Sequence, residues 1–220
     1  MPRRGKTLLE STIEIIYKDT SILLVNKPGG LLTVPGRGPD KQDSLVRRLQ
    51  KQIPELPEQP AVHRLDMHTS GLMLFAMNEA AHRNLSKQFQ YRLVIKRYIA
   101  VVEGVVHGDS GTIELAFRLD TENRPYQVYD PVNGKMGTTL WKKLSEDPGG
   151  TRIEFTPLTG RTHQLRLHAS HSKGLGVPII GDYLYGTGQD GDPMLLHASY
   201  LCFRHPVTGT SCEYRSEPPF

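Results

Sequence analysis

The stretch that most constrains the fold of this chain is His63–Phe75, which reads HRLDMHTSGLMLF. Its second half is a short apolar run that follows a Ser-Gly pair, a pattern that predicts a buried strand. The first half then lies at the mouth of that strand, where one acid, Asp66, stands among cationic and hydroxyl-bearing neighbours. Such neighbours favour an ionised carboxylate, so Asp66 is a candidate nucleophile or base. A solvated loop with an Asx turn is the alternative interpretation.

The pattern H-R-L-D-x-x-T-S-G-L with an apolar tail resembles the signature of the RluA family of RNA pseudouridine synthases. In that family the aspartate is the catalytic residue, which implies this role for Asp66. The implied reaction is the isomerisation of uridine to pseudouridine within RNA, on a base that has been flipped out of its stack. Covalent attack by the aspartate and abstraction of a sugar proton to give a glycal are both open.

Other stretches follow in the order that the family implies. Asn26–Arg37, which reads NKPGGLLTVPGR, is similar to a segment of the A-type members, which act on both large-subunit ribosomal RNA and the tRNA anticodon arm. The stretches KRYIAVV, GRTHQLRLH and LLHA come later, and the resemblance covers nearly the whole chain. The chain departs from the family pattern at Tyr126–Tyr129 and Met136–Thr139, which puts local RNA contacts in question rather than the chemistry.

The resemblance implies roles for particular side chains. Tyr98 is expected to stack on the uracil, and Arg166 to pair with Asp66 through a bidentate contact that lysine cannot reproduce. Arg64 is our candidate for filling the space that the flipped base leaves, with an exposed phosphate contact as the alternative. Leu196 is expected to form an apolar wall. Substrate or RNA contacts are also expected from His63, Thr69, Arg161, His163, Arg37 and Lys27.

The composition is that of a globular protein with a modest positive charge. At 220 residues the chain can form one domain with an ample core. We expect a flexible basic N-terminus over residues 1–12 and a catalytic domain over residues 13–220, with no additional N-terminal RNA-binding domain. Lys and Arg outnumber Asp and Glu by 27 to 23, which fits an RNA partner or ordinary solvated faces.

Cysteine usage and hydropathy bear on the compartment. The chain has 2 cysteines, no recognisable signal peptide and no apolar run of membrane-spanning length. These features predict a reduced cytoplasmic protein without a membrane segment. We also expect a monomer that needs no obligate protein partner.

Many short strand candidates and few helices predict an α+β domain. The resemblance is more specific, because it implies a curved, mostly antiparallel mixed sheet with flanking helices and a central cleft. Apolar runs at 14–17 and 22–26 predict one hairpin, and those at 141–144 and 151–156 predict another.

Capping residues predict where the helices begin. Asp43 or Ser44 is expected to cap a helix that runs to about Ile53, and Asn78 a helix that runs to about residue 90. Thr162 is expected to cap a third helix, which carries Arg166.

Two other functions remain open. A module that binds structured RNA without altering it would use the same basic surface. The histidines at 163, 168 and 171 suggest a zinc-dependent hydrolase, but their spacing matches no familiar zinc pattern and no acid or thiol is close in sequence. The motifs together favour the synthase, with structured RNA as partner and with neither metal nor cofactor.

Overall fold

The structure is a computed structural model, which describes residues 12–147 and 149–220. The basic N-terminus predicted for residues 1–12 lies, up to residue 11, outside these residues. Ten strands in the described ranges form one sheet: Glu14–Lys18 (β1), Ile22–Lys27 (β2), Ser70–Ala76 (β3), Ile95–Glu103 (β4), Ser110–Leu119 (β5), Gln127–Tyr129 (β6), Lys135–Asp147 (β7), Gly150–Pro157 (β8), Leu196–Arg204 (β9) and Ser211–Arg215 (β10). Three α-helices accompany them: Leu45–Gln52 (α1), Glu79–Gln90 (α2) and Gln164–Ser170 (α3).

The strand order is β1-β2-β3-β9-β4-β8-β7-β5-β6, and β10 pairs with β9. All neighbouring strands are antiparallel except β3 and β9, which are parallel. The sheet is therefore mixed and mostly antiparallel, and the predicted α+β class is confirmed. Both predicted hairpins are present as β1–β2 and β7–β8.

Strand β3 is buried along its whole length because it is covered on both faces. Met73 and Phe75 pack into the core that includes α1, whereas Leu72 and Leu74 pack into the core that includes α2. A strand covered on both faces reads as a continuous apolar run. This explains why the sequence after the Asp66 motif shows no alternation of polar and apolar residues.

A second large core joins the other half of the sheet to α3. Ile153 and Phe155 of β8 pack there with Leu165 and Leu167 of α3. Tyr98 of β4 packs against both this core and the core that includes α1. It therefore lies at the seam where the two halves of the molecule meet.

The junction between β3 and β9 depends on Gly71. Here Gly71 pairs with Ala198, and its φ of 110° lies in a region that L side chains rarely adopt. A Cβ atom at this position would lie 2.4 Å from the carbonyl oxygen of Ala198. The glycine of the T-S-G-L motif thus allows the close approach of two backbones beneath the Asp66 loop.

The helix boundaries agree with the sequence at two of the three starts. Ser44 caps α1 by accepting a hydrogen bond from the backbone N–H of Arg47, and Asn78 caps α2 in the same way through Ala81. The prediction that Thr162 caps α3 is wrong. The helix begins after His163, which has a left-handed φ of 55° and no side-chain cap.

Strand β10 was not predicted. Its five residues alternate between exposed and half-buried, and four of them carry polar or charged side chains or a thiol. It pairs with the second half of β9, and its half-buried residues, Cys212 and Tyr214, pack against the core that includes α2. Two such positions in five residues make a weak sequence pattern.

We expect Gly71→Ala to destabilise the protein by about 3 kcal/mol or more, because the methyl group meets backbone atoms that cannot move aside easily. The free energy of unfolding in urea measures the effect. Gly30→Ala is the matched control: Gly30 also has a positive φ, 79°, but no atom lies within 4 Å of a Cβ built there. Equal losses for the two variants would contradict a steric role for Gly71.

Candidate active site

The two halves of the molecule enclose a cleft with a cavity volume of about 1350 Å³. Its walls come from the β2–α1 loop, the Asp66 loop, the end of α2 with the start of β4, and the segment from Thr156 to Arg166. Asp66, Tyr98 and Arg166 all line this cleft. Residues that are distant in sequence are thus brought together at one site, as the motifs predicted.

Asp66 lies in the turn that leads into β3. The backbone N–H of Thr69 donates to the Asp66 carbonyl at 3.2 Å, which closes this turn. The Asp66 side chain is 29% exposed, toward the cleft. Among the described residues, none donates a hydrogen bond to its carboxylate. Two basic groups lie close to it, Arg166 Nη1 and His163 Nε2, each 4.0 Å from Oδ2.

The bidentate partner of Arg166 is Asp182. Arg166 Nε and Nη2 donate to the two Asp182 carboxylate oxygens at 2.8 and 2.6 Å, and both side chains are buried. Burial lowers the pKa of Arg166, but the hydrogen bond and charge of Asp182 outweigh it, so the net shift is upward. The expectation of a bidentate pair with Asp66 is therefore wrong for this structure. Arg166 is fixed by Asp182 and offers its remaining Nη1 group to Asp66.

His163 faces Asp66 with Nε2, while a short chain of hydrogen bonds holds its other ring nitrogen, Nδ1. The hydroxyl of Tyr185 accepts from the backbone N–H of Gln127 at 2.8 Å and lies 2.9 Å from His163 Nδ1. Since the hydroxyl already accepts one bond, it can donate its proton to Nδ1, which leaves the ring proton on Nε2, facing Asp66. Burial lowers the pKa of His163 although the charge of Asp66 opposes the shift. The ring is therefore a neutral donor at neutral pH.

Tyr98 and Leu196 are among the aromatic and apolar side chains that line the cleft. Tyr98 pairs with Phe155 on one side and Ala198 on the other, and Leu196 is buried at the start of β9. Burial, followed by the negative charge of Asp66, raises the pKa of Tyr98. The phenol therefore stays neutral at neutral pH. The predicted apolar wall at Leu196 is part of the cleft lining.

Lys27 does not lie at the RNA-binding surface, and the prediction of an RNA contact is contradicted. Its side chain is fully buried, and Nζ donates to the carbonyls of Pro28, Leu31 and Met67 at 2.7 to 2.9 Å. Burial lowers the pKa of Lys27 to about 7, while the charge of Asp66 opposes the shift. Three carbonyls match the three N–H donors of an ammonium group. Lys27 thus holds the β2–α1 loop against the residue that follows Asp66.

His63 and Thr69 line the cleft from positions with structural roles. His63 Nε2 accepts from the Leu74 backbone N–H at 3.0 Å, and the ring stacks on Phe89 at 4.5 Å. Burial, with a smaller effect from Lys96, lowers the pKa of His63 to about 3. Thr69 is buried, 3% exposed. Only one ring nitrogen of His63, Nδ1, remains available to a ligand.

The predicted cationic contacts differ in position. Arg64 and Arg161 are exposed and line the cleft, one on the Asp66 loop and the other on the segment from Thr156 to Arg166. Arg37 is exposed on the loop that includes Gly36, but it does not belong to the cleft lining. Arg64 and Arg161 can therefore reach a nucleotide in the cleft, whereas Arg37 can reach only the RNA outside it.

The sequence analysis gave no role to Asp182 or Tyr185. Asp182 is fully buried and also accepts from the backbone N–H groups of Leu184 and Tyr185. The available signal was the G-D-x-x-Y-G stretch at 181–186, in which an acid and a tyrosine keep the spacing of one turn. The spacing could indicate the turn, but it could not show that Asp182 pairs with Arg166 or that Tyr185 contacts His163.

The three histidines near α3 point to different surroundings. His163 faces Asp66, His168 lies in the core edge-on to Phe117, and His171 contacts Tyr129. Within residues 12–147 and 149–220, no three His, Cys, Asp or Glu side chains converge as a metal would require.

This geometry agrees with what the chain resembles. A model of the family described as RNA pseudouridylate synthase matches residues 21–171. The chain is 41% identical to the dual-specificity RNA pseudouridine synthase RluA of Yersinia pestis, over 94% of this chain and 99% of that protein. It is 46% identical to the protein of the same name from Vibrio vulnificus (strain CMCP6), over 88% and 78% of the two chains.

The chain belongs to the RluA family of RNA pseudouridine synthases. It is therefore an isomerase that acts on RNA. The solved structure of human RNA pseudouridylate synthase domain containing 1 superposes with a TM-score of 0.78 at 31% identity, covering 96% of this chain and 85% of that one. The mixed sheet with its cleft is thus the fold of a pseudouridine synthase. None of the helices in the described part of this synthase has the length and apolar character that crossing a bilayer requires.

We expect Lys27→Met to lower the free energy of unfolding of the synthase by at least about 2 kcal/mol, because three buried carbonyls lose their donor. Urea denaturation measures this loss. Arg37→Gln is the control, and its stability should equal that of the wild type because Arg37 is exposed. A stable Lys27→Met protein with weakened RNA binding would instead restore the RNA-contact role.

Asp182→Asn should cost about 3–5 kcal/mol of stability, because it leaves the buried guanidinium of Arg166 without its paired charge. Conversion of uridine should also fall, since Arg166 is no longer held in place beside Asp66. Glu79→Gln, which breaks the exposed Glu79–Arg83 pair, is the control and should leave both measurements unchanged. Wild-type turnover by a folded Asp182→Asn protein would show that Arg166 needs no such support.

Proposed function

We propose that this synthase modifies uridines in stem-loops of large-subunit ribosomal RNA, of the tRNA anticodon arm, or of both, with Asp66 as the catalytic residue. The observation that carries the proposal is the state of the Asp66 carboxylate. It opens into the cleft, accepts no hydrogen bond from residues 12–147 and 149–220, and lies 4.0 Å from a buried arginine. The dual specificity stated in the names of its relatives supports two classes of RNA.

In the proposed reaction the bond between N1 and C1′ of a flipped uridine breaks, the uracil turns, and C5 bonds to C1′. The C5 proton leaves at the end, and N1 gains one. Asp66 either adds to the nucleotide or removes a proton from its sugar. Both routes need a carboxylate that is close to the sugar and free to react, and a group tied by several hydrogen bonds would react more slowly.

Arg166 and His163 serve this carboxylate without neutralising it. Each presents an N–H group at 4.0 Å, which is a distance of electrostatic support rather than of a hydrogen bond. A small shift of the Asp66 side chain on substrate binding brings it within hydrogen-bond reach of one of them. Catalytic hydrogen bonds often tighten in this manner when the substrate binds.

Tyr98 and Leu196 form the surface on which the uracil rests. A neutral phenol ring offers a flat apolar face for stacking on the base. Because burial and the charge of Asp66 oppose ionisation of Tyr98, we assign it stacking as its main role. Any part in the proton transfer at C5 would use the neutral hydroxyl.

Cations at the mouth of the cleft hold the RNA. Arg64 lies two residues before Asp66, where a planar guanidinium can stack in the space that the flipped base vacates. Arg161 contacts the RNA from another wall of the cleft, and His63, Thr69 and His163 also line it. Arg37 adds a contact outside the cleft.

Residues 13–220 form the catalytic domain in this proposal. The protein acts as a cytoplasmic monomer without an obligate protein partner, since its substrates are cytoplasmic RNAs. Size-exclusion chromatography with light scattering tests the monomer.

The decisive experiment is tritium release from RNA that carries uridine labelled at C5, because the label leaves only when C5 becomes the glycosidic carbon. Wild type is expected to release tritium from a ribosomal stem-loop, a tRNA or both. Asp66→Ala and Asp66→Asn should each reduce the rate by about 10⁴-fold or more, the scale seen when a central catalytic group is removed.

Asp40→Asn is the matched control, since Asp40 is an exposed acid that lines the same cleft, and it should keep tritium release. The Asp66 variants should still bind RNA, which shows that they are folded. Substantial release by either Asp66 variant would reject the catalytic role of this residue. Release from neither RNA by the wild type would reject the proposed substrates.

A further inference from the structure

The end of α2 contains a backbone conformation that calls for explanation. In residues 12–147 and 149–220, Arg92 and His163 are the non-glycine residues with positive φ, at 59° and 55°. Both line the cleft that holds Asp66. Strained backbone of this kind tends to cluster at functional sites. His163 faces the Asp66 carboxylate, whereas Arg92 lies just past the end of α2 and has no role in the reaction proposed above.

Arg92 occupies a position where glycine is the usual residue. The N–H of Leu93 donates to the Gln88 carbonyl at 2.9 Å, and that of Arg92 to the Phe89 carbonyl at 3.2 Å. This pattern ends a helix with one left-handed residue, which is commonly glycine because a side chain is disfavoured there. The helix end itself thus gives no reason for an arginine. Its side chain is exposed at the rim of the cleft.

A second cation lies beside Arg92 on the same wall. Lys96, in β4, is half-buried and lines the cleft, and its Nζ lies 3.6 Å from the place that a Cβ on Gly160 would take. Burial, followed by the positive charge of Arg92, lowers the pKa of Lys96. Neither residue takes part in the ion pairs of the described residues. Two adjacent cations without a carboxylate partner are complementary to an anion.

The position of this pair relative to Asp66 indicates which anion. Lys96 precedes Tyr98 by two residues on β4, and both line the cleft together with Asp66. Tyr91 and Leu93, which flank Arg92, are 65% and 62% exposed. Exposed aromatic and apolar groups beside cations suit a nucleic-acid strand, because bases stack on the former while phosphates pair with the latter.

We propose that Arg92 and Lys96 form a phosphate-binding site that holds the RNA backbone next to the flipped uridine. The inference rests on the proposed function, since it requires an RNA substrate in the cleft. The ligand groups are the phosphodiesters that flank the target nucleotide. The site binds the RNA backbone after the uridine has left its stack, which disfavours return of the base to the stack.

Binding of RNA to variants in an Asp66→Ala background tests this site without turnover. The probe is a fluorescein-labelled RNA stem-loop with the anticodon-arm fold, titrated at several salt concentrations. Arg92→Gly and Lys96→Met should each weaken binding about 3- to 10-fold at 0.1 M salt. The slope of log Kd against log salt should fall by about 0.7–0.9 for each phosphate contact that is lost.

Arg92→Gly separates binding from folding. Glycine fits the left-handed backbone better than arginine, so the thermal midpoint of this variant should equal or exceed that of its parent. Arg92→Lys keeps the charge and should retain part of the affinity. Arg83→Ala is the matched control, because Arg83 is exposed on α2 but does not line the cleft, and both its affinity and its slope should match the parent.

The inference is overturned if Arg92→Gly and Lys96→Met bind RNA with the affinity and salt slope of the Arg83→Ala control. It is also overturned if their loss of binding only follows a loss of folded protein. Tritium release by the protein with Asp66 intact is measured separately. A failure there rejects the proposed function, whereas an unchanged salt slope rejects this phosphate site alone.

Discussion

The pair between Arg166 and Asp182 is the interaction on which the arrangement of the active site depends. It joins α3 to the turn that begins at Asp182, later in the chain, and both charged side chains are buried. The same Asp182 carboxylate orders the turn by accepting from Leu184 and Tyr185. Tyr185 in turn fixes the ring of His163. Both groups that face Asp66 are therefore positioned through one aspartate.

Around the reactive carboxylate, the protein controls charge by burial. His63 and His163 have lowered pKa values and are neutral, and Tyr98 has a raised pKa and is also neutral. Positive charge close by comes from Arg166, which Asp182 balances, and from Lys27, whose pKa burial lowers to about 7. Asp66 is thus supported by donors and by cations that other groups hold in place. This arrangement leaves the carboxylate open to the cleft.

Sequence reasoning succeeded where one local pattern decides the outcome. Ser44 and Asn78 start helices because a short polar side chain can bond the free N–H groups of the first turn. The apolar run after Ser70 forms a strand that is buried along its whole length. A short, continuous apolar run between turn residues is typical of a strand that is covered on both faces. The motif around Asp66 and its family resemblance brought Tyr98 and Arg166 to the same cleft.

Sequence reasoning failed where tertiary partners decide. Lys27 was expected to contact substrate or RNA, but its ammonium group is enclosed by three carbonyls, one of them 40 residues away. Asp182 competes with Asp66 for Arg166, and no spacing in the chain reveals which acid is closer. His163, the left-handed residue before α3, precedes Gln164, whose buried side chain folds back onto the loop. Gln164 Oε1 accepts hydrogen bonds from the Arg161 N–H and the Thr159 hydroxyl. This contact resembles the Gln part of a capping box, but Arg161 stands where that pattern has Ser or Thr.

The parallel contact between β3 and β9 also affects how the enzyme folds while it is being synthesised. Ser70 Oγ lies 2.8 Å from Nδ1 of His197, a residue 127 positions later, and Gly71 pairs with Ala198 directly beneath the Asp66 loop. During translation, the early strands and α1 can assemble long before this partner has left the ribosome. A contact between such distant segments forms late in folding. A nascent chain that ends before β9 carries Asp66 without Leu196, which lines the same cleft, so the cleft is completed only after β9 has been made.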